Sequence, residues 1–261
     1  MANFSVAVSE YMTTPVLTVK ASTPLSEADA LMRDRGVSSL AVVSDEGALD
    51  GILSRTDLLR VGSRQAGRRK GASLLTYPPS ATVGDAMTKD VEAVEADLTC
   101  AEAAALMVKK RFHRLLVRRD GELVGVASTF DLMQLVVDQK LNKPVSEYMS
   151  SPLFTVRVDE PISLATERLE RAKVTGLVVL DGDWPVGLFT QTEALESRDA
   201  ERDTPIESVM GTAFLSLEAE TPIHRAAAMA VSLGARRVVT MTNGRPKGIL
   251  TGLDFAKAVA G

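Results

Sequence analysis

One phrase returns four times along this chain. It reads GILSRTD at residues 51–57, GVASTFD at 125–131, GLFTQTE at 187–193 and GILTGLD at 248–254. A second phrase precedes each copy: MTTPVLTV from Met12, MTKDVEAV from Met87, MSSPLFTV from Met149 and MGTAFLSL from Met210. Successive methionines stand 75, 62 and 61 residues apart. Two signals at matched offsets mark a chain assembled from one supersecondary unit, so the unit decides the fold.

The first copy makes the unit readable. Residues 16–19 form a short β-rich run, and Thr23-Pro24 marks a helix start with Pro at the first helical position. Leu25, Ala28, Leu31 and Met32 recur at helical spacing, and Gly36 stops that helix. Residues 40–43 are an apolar run of buried-strand type, Asp45-Glu46-Gly47 is a turn, and Ile52-Leu53 is a third strand. A second helix opens near Ser54. The order is β-α-β-β-α, an α/β fold. A unit of about 60 residues buries too little surface to be secure alone, so pairs are expected to share a core. The expected division is 1–62, 81–141, 142–200 and 201–261. Between the first two copies, residues 63–80 carry Arg64, Arg68, Arg69 and Lys70 and read as a mobile basic loop, solvated and not a nucleic-acid site.

Composition narrows the function. The 261 residues carry a formal charge of −4, and neither half is basic, so no nucleic-acid partner is expected. No run approaches about 18 unbroken apolar residues, the length of a membrane span. The single cysteine, Cys100, cannot form an intrachain disulfide, which fits a cytoplasmic protein; it opens a helix and reads as a small packed thiol. His113 and His224 are the only histidines, and with one cysteine they make no zinc set; His224 reads as an exposed first-turn residue. Trp184 falls in a turn. No nucleophile–base–orienter set is visible, so the chain is not read as an enzyme.

The phrases resemble those of the cystathionine-β-synthase (CBS) domain family, over nearly the whole chain. The marks are G-h-h-[ST]-x-x-[DE], the upstream M-x-x-x-h-h-x-h, and the β-α-β-β-α order. The resemblance implies four CBS repeats paired into two pseudo-twofold Bateman modules, stacked within one chain or across a homodimer. In layout it is similar to the gamma subunit of AMP-activated protein kinase. It further implies a non-enzymatic regulatory protein that binds an adenine nucleotide (AMP, ADP or ATP) in clefts between paired repeats and signals to another protein. S-adenosylmethionine, NAD or a cyclic dinucleotide are alternative ligands, and a scaffold with degenerate sites is an alternative of another class.

An adenylate needs an apolar slot for its base, an acceptor for its ribose diol and positive groups for its phosphate. The [ST]-x-x-D phrase lies where a strand becomes a helix, whose N-terminus favours an anion. By resemblance, the acid holds the ribose and the hydroxyl lies beside the ligand: Ser54 with Asp57, Ser128 with Asp131, Thr251 with Asp254. The same spacing is also nearly a capping box that needs no ligand. The third copy has Thr190 with Glu193, whose longer arm predicts a weak, altered or empty site. Before the second strand the copies read Ser38-Ser39, His113-Arg114, Thr175-Gly176 and Arg236-Arg237: small residues in odd copies, cations in even ones. By resemblance the even pairs reach phosphate. Thr18, Ala93, Thr155 and Ser216 share one first-strand position, which in the family lies beside base or sugar.

Overall fold

The computed structural model describes residues 2–67, 69, 71–89 and 91–261. Four copies of one element order follow each other. The first has β1 (Thr18–Val19), α1 (Leu25–Asp34), β2 (Ser39–Val43), β3 (Leu49–Ser54) and α2 (Arg55–Gln65). A short α3 (Val83–Ala86) leads into β4 (Ala93–Glu95), α4 (Cys100–Lys110), β5 (Arg114–Arg119), β6 (Glu122–Ser128) and α5 (Thr129–Asp138). The third has β7 (Thr155–Arg157), α6 (Ile162–Ala172), β8 (Gly176–Asp181), β9 (Trp184–Thr190) and α7 (Gln191–Glu196). The fourth has β10 (Leu215–Glu218), α8 (Ile223–Ser232), β11 (Arg237–Thr242), β12 (Arg245–Thr251) and α9 (Gly252–Ala260). Helix α1 starts one residue later than expected, with Pro24 as its N-cap.

Each repeat makes its own three-stranded sheet, with the first strand parallel to the second and the second antiparallel to the third. The parallel pair needs a crossover, which the first helix supplies; the antiparallel pair needs only a tight turn. Every hairpin also carries a one-residue register shift near that turn.

The repeats fall into two compact units. One, the even unit, holds residues 1–16, 92–153 and 214–261, and so repeats 2 and 4. The other, the odd unit, holds 17–91 and 154–213, and so repeats 1 and 3. The expected sharing of cores is present, but between alternate repeats. In the even unit Cys100, Met107, Leu115 and Leu132 are buried in one cluster with Ile223, Ala226, Val238 and Phe255. Helix α4 packs on α9, and α5 on both α8 and α9. In the odd unit Leu25, Met32, Leu53 and Leu58 share a cluster with Ile162, Leu169, Val179 and Phe189, and α2 packs on α7.

Tandem neighbours exchange their leading segments. Thr13 bridges Val126, Thr88 bridges Ile52, Ser150 bridges Ile249 and Gly211 bridges Leu188. The methionine of each leading phrase thereby lands on the glycine of its neighbour's phrase: Met12 on Gly125, Met87 on Gly51, Met149 on Gly248 and Met210 on Gly187. A Cβ at Gly51 would lie 2.7 Å from the Thr88 carbonyl oxygen and 2.9 Å from Met87 Sδ. Two main chains approach too closely there for any side chain, which is why glycine and methionine recur together.

The 63–80 segment departs from a mobile loop. Helix α2 takes Arg64, and Leu74 and Leu75 are buried in the odd unit's core. Their N–H groups donate to the Ala200 and Arg198 carbonyls at 2.9 and 3.1 Å. The Tyr77 hydroxyl donates to buried Asp29 at 3.3 Å, and Arg198 pairs with the same carboxylate. The apolar pair Leu74-Leu75 anchors the segment, and the connector to repeat 4 satisfies its backbone. Arg68 and Lys70 lie outside the described residues. Of two lesser readings, the packed thiol holds and the exposed histidine does not. Cys100 is fully buried, and burial pushes its thiol up to about 11. His224 is half-buried rather than exposed, with Nδ1 at 3.0 Å from the Leu141 carbonyl oxygen. Among the described residues no helix is long and apolar enough to cross a membrane, and no cluster of His, Cys, Asp and Glu could hold a metal.

Candidate functional site

Ser54, Ser128, Thr190 and Thr251 are the extended N-cap residues at each strand-to-helix corner. The acid three residues on folds back to its cap in all four. Asp57 Oδ2 accepts from the Ser54 N–H at 2.9 Å and from its hydroxyl at 2.6 Å. Asp131 Oδ2 accepts both from Ser128 at 2.7 Å, and Asp254 Oδ2 accepts from Thr251 at 2.8 and 2.6 Å. Glu193 accepts from the Thr190 N–H at 2.7 Å and from its hydroxyl. Holding its own cap residue is therefore a task of the acid in every copy.

The copies differ at the other carboxylate oxygen. Asp57 Oδ1 accepts from Arg60 at 2.8 Å, one turn on. Asp254 Oδ1 accepts from Lys257 at 2.7 Å and from the Ser150 hydroxyl at 2.9 Å. In repeat 2 the matching position is Gln134, which donates instead to Asp138 at 2.8 Å. No cation of its own helix thus reaches Asp131. In repeat 3 the longer Glu193 is matched by Gly211, where the other copies have Thr13, Thr88 and Ser150. A Cβ at Gly211 would lie 3.2 Å from Glu193 Oε1. The extra methylene takes the room that a missing side chain leaves.

The doublets before the second strand stand beside these corners. Ser39 opposes Ser54, Arg114 opposes Ser128, Gly176 opposes Thr190 and Arg237 opposes Thr251 across the hairpins. The helix-opening N–H groups of Arg55, Thr129 and Gln191 donate to the Ser38, His113 and Thr175 carbonyls. Both cationic doublets consequently belong to the even unit. There the first turns of α5 and α9 touch, since a Cβ at Gly252 would lie 2.7 Å from Thr129 Cβ. Arg236 of repeat 4 reaches across to repeat 2, its Cζ 5.4 Å from the centre of the Phe130 ring and one residue from Asp131.

The electrostatics follow from this crowding. Burial, then Arg114, Arg237, Arg236 and Arg111, hold the His113 imidazole down at about 4. The expected cation at His113 is thus a neutral imidazole at neutral pH, surrounded by arginines. Burial raises Asp131, opposed by its bonds to Ser128 and by the charge of Arg236. Burial lowers Arg236, opposed by Asp131. Arg236 nevertheless keeps solvent access, while His113 and Asp131 are half-buried.

In the odd unit the matching helix starts are joined directly by side-chain hydrogen bonds. Arg55 Nη1 donates to Thr192 Oγ1 at 2.7 Å and Gln191 Nε2 to Thr56 Oγ1 at 3.0 Å, so α2 and α7 are stitched together. Thr18, Ala93, Thr155 and Ser216 do share one register position, opposite Ala41, Leu116, Val178 and Val239. Thr18 and Ser216 are solvent-exposed, and Ala93 and Thr155 half-buried. Phe130, Ser150 and Gly211 were not singled out by sequence. Phe130 sits inside the repeated phrase, but its partner is far along the chain.

A model of the CBS domain matches residues 8–64, 83–138, 145–199 and 206–261. The chain belongs to the CBS domain family. An uncharacterized protein of Methanocaldococcus jannaschii, MJ1404, is 24% identical over 97% of this chain and 62% of its own length. A homoserine O-acetyltransferase of Methanohalobium evestigatum is 32% identical over 42% of this chain, but over only 23% of the enzyme. The chain thus spans less than two thirds of these relatives. Among solved structures, protein MJ1225 of Methanocaldococcus jannaschii, a proposed archaeal homolog of g-AMPK, matches with a TM-score of 0.84. The match is 17% identical and covers 97% of this chain and 99% of that one. A conserved protein of Pyrococcus horikoshii matches with a TM-score of 0.68 at 18% identity, over 97% and 99%.

Proposed function

We propose that the chain is a non-enzymatic regulatory protein that binds an adenine nucleotide in its even unit and signals occupancy to a partner protein. The observation that carries this reading is the gathering of His113-Arg114 and Arg236-Arg237 in one unit, beside the starts of α5 and α9 and next to Asp131. In this role Asp131 accepts from the ribose diol through the oxygen its cap leaves over. The arginines and the helix N-termini neutralise the phosphate. His113 gains a proton more readily when an anion arrives, so it contributes charge only with ligand present. Ser128 and Thr251 line the approach. A ligand of this kind shifts a conformational equilibrium only by its difference in affinity between states, so the partner must distinguish empty from filled.

Calorimetric titration of the full chain with AMP, ADP and ATP tests the reading. Binding is expected, and Arg114→Ala with Arg237→Ala should weaken AMP far more than adenosine. Silence with every adenylate at millimolar concentration, which captures binders as weak as about 4 kcal/mol, discards the nucleotide. A scaffold with degenerate sites is the second reading. It is favoured by the fourfold capping and by the cations already on Asp57 and Asp254. On that reading Asp131→Ala costs about 1 kcal/mol of stability and changes no binding.

A further inference from the structure

The contact between Arg236 and Phe130 joins two repeats that are not neighbours in the chain. Arginine is otherwise a long, mobile side chain, and directing it at one point costs rotamer entropy. An aromatic face beneath the guanidinium reduces that loss, because its negative quadrupole attracts the cation and its flat surface suits the planar head. Here the ring is offered by the sixth residue of the phrase, directly before Asp131. In the other copies the same position is Thr56, Thr192 or Leu253, none of them aromatic. Phe130 itself is held by the even unit's core, against which it packs. It therefore stands as a fixed platform on repeat 2 for a cation delivered by repeat 4, at a centroid distance of 5.4 Å. The Asp131 carboxylate and Arg236 lie close enough for each to shift the other's ionisation.

We infer that Phe130 is a positioning residue of the nucleotide site. By stacking Arg236 it makes repeat 2, with Asp131 for the ribose and a borrowed guanidinium for the phosphate, the main binding site of the chain. This rests on the nucleotide reading above and adds to it which copy binds and what aims its cation. The odd copies have no equivalent platform, and Asp254 of repeat 4 is already held by Lys257 and Ser150.

The test is a double-mutant cycle by calorimetry on the full chain, with AMP and adenosine as probes and thermal melting as a control of folding. Phe130→Leu should weaken AMP by about 3- to 20-fold, the range of a cation–π contact, and leave adenosine unchanged. Phe130→Tyr, which keeps the ring, should restore AMP binding. Arg236→Ala should weaken AMP at least as much, and Phe130→Leu should add nothing on top of it. Equal losses of AMP and adenosine in Phe130→Leu, or additive losses in the double variant, overturn the positioning role while leaving the nucleotide reading intact. A wild type that binds neither probe overturns the nucleotide reading and this inference with it.

Discussion

Lowering the pH should destabilise this protein through one imidazole. His113 titrates at about 4 in the folded chain, against an ordinary 6.5, because burial disfavours its charged form and Arg114, Arg237, Arg236 and Arg111 add to that. Between those two values the unfolded chain binds a proton that the folded chain refuses. Stability therefore rises with pH across that window and falls as pH drops through it. A displacement of that size corresponds to about 3 kcal/mol in full, of which about 2 kcal/mol is lost by pH 5. Carboxylates titrate in the same region, so the variant matters more than the curve. His113→Gln keeps a neutral polar group and removes the proton site. Urea unfolding of both proteins at pH 7 and pH 5 should give a stability drop in the wild type that exceeds the variant's by about 2 kcal/mol. The two imidazoles can also be followed directly by proton NMR, with the variant supplying the assignment. A His113 resonance that titrates near 6.5, or equal pH dependence in the two proteins, would refute the picture of an imidazole surrounded by positive charge.

Three further outcomes are expected from the same structure. Gly211→Ser should destabilise the odd unit by crowding Glu193, and Glu193→Asp should relieve it; unfolding of the two singles and the double should give a coupling of about 0.5–3 kcal/mol, where zero would deny that the two positions compensate. Asp29→Ala strands Arg198 in a largely buried place and should cost about 3 kcal/mol by urea unfolding, with part recovered in Asp29→Ala/Arg198→Met; no recovery would place the loss in packing alone. Cys100, with its thiol held near 11, should react with a thiol reagent at neutral pH only as fast as the chain unfolds, and rapid reaction of the folded protein would contradict its burial.

Much of this molecule was open to a reader of the residues. Four ordered copies of two short phrases were enough for the repeat, its β-α-β-β-α order and its family, because each copy repeats the same local turns, caps and apolar periods. The cationic alternation was equally visible, as a difference between copies at one aligned position. Local pattern also exposed the ambiguity of the acid in each phrase, since a cap and a ribose acceptor ask for the same residue at the same spacing.

Other features depend on residues far apart in the chain, and no local pattern carries them. The apolar faces of the helices announce burial without naming a partner, so only packing could decide that repeat 2 shares its core with repeat 4 and repeat 1 with repeat 3. The exchange of leading segments put Met12 on Gly125 and Met87 on Gly51, which turned two separate sequence marks into one contact. The 63–80 segment looked solvated because its charges were counted and the anchoring of Leu74 and Leu75 was not. His113 looked cationic because its burial, and the approach of Arg237 and Arg236 from more than a hundred residues away to join Arg114 beside it, are set by packing. Side-chain chemistry is written residue by residue, but the dielectric and charge that tune it are set by whatever the fold brings near.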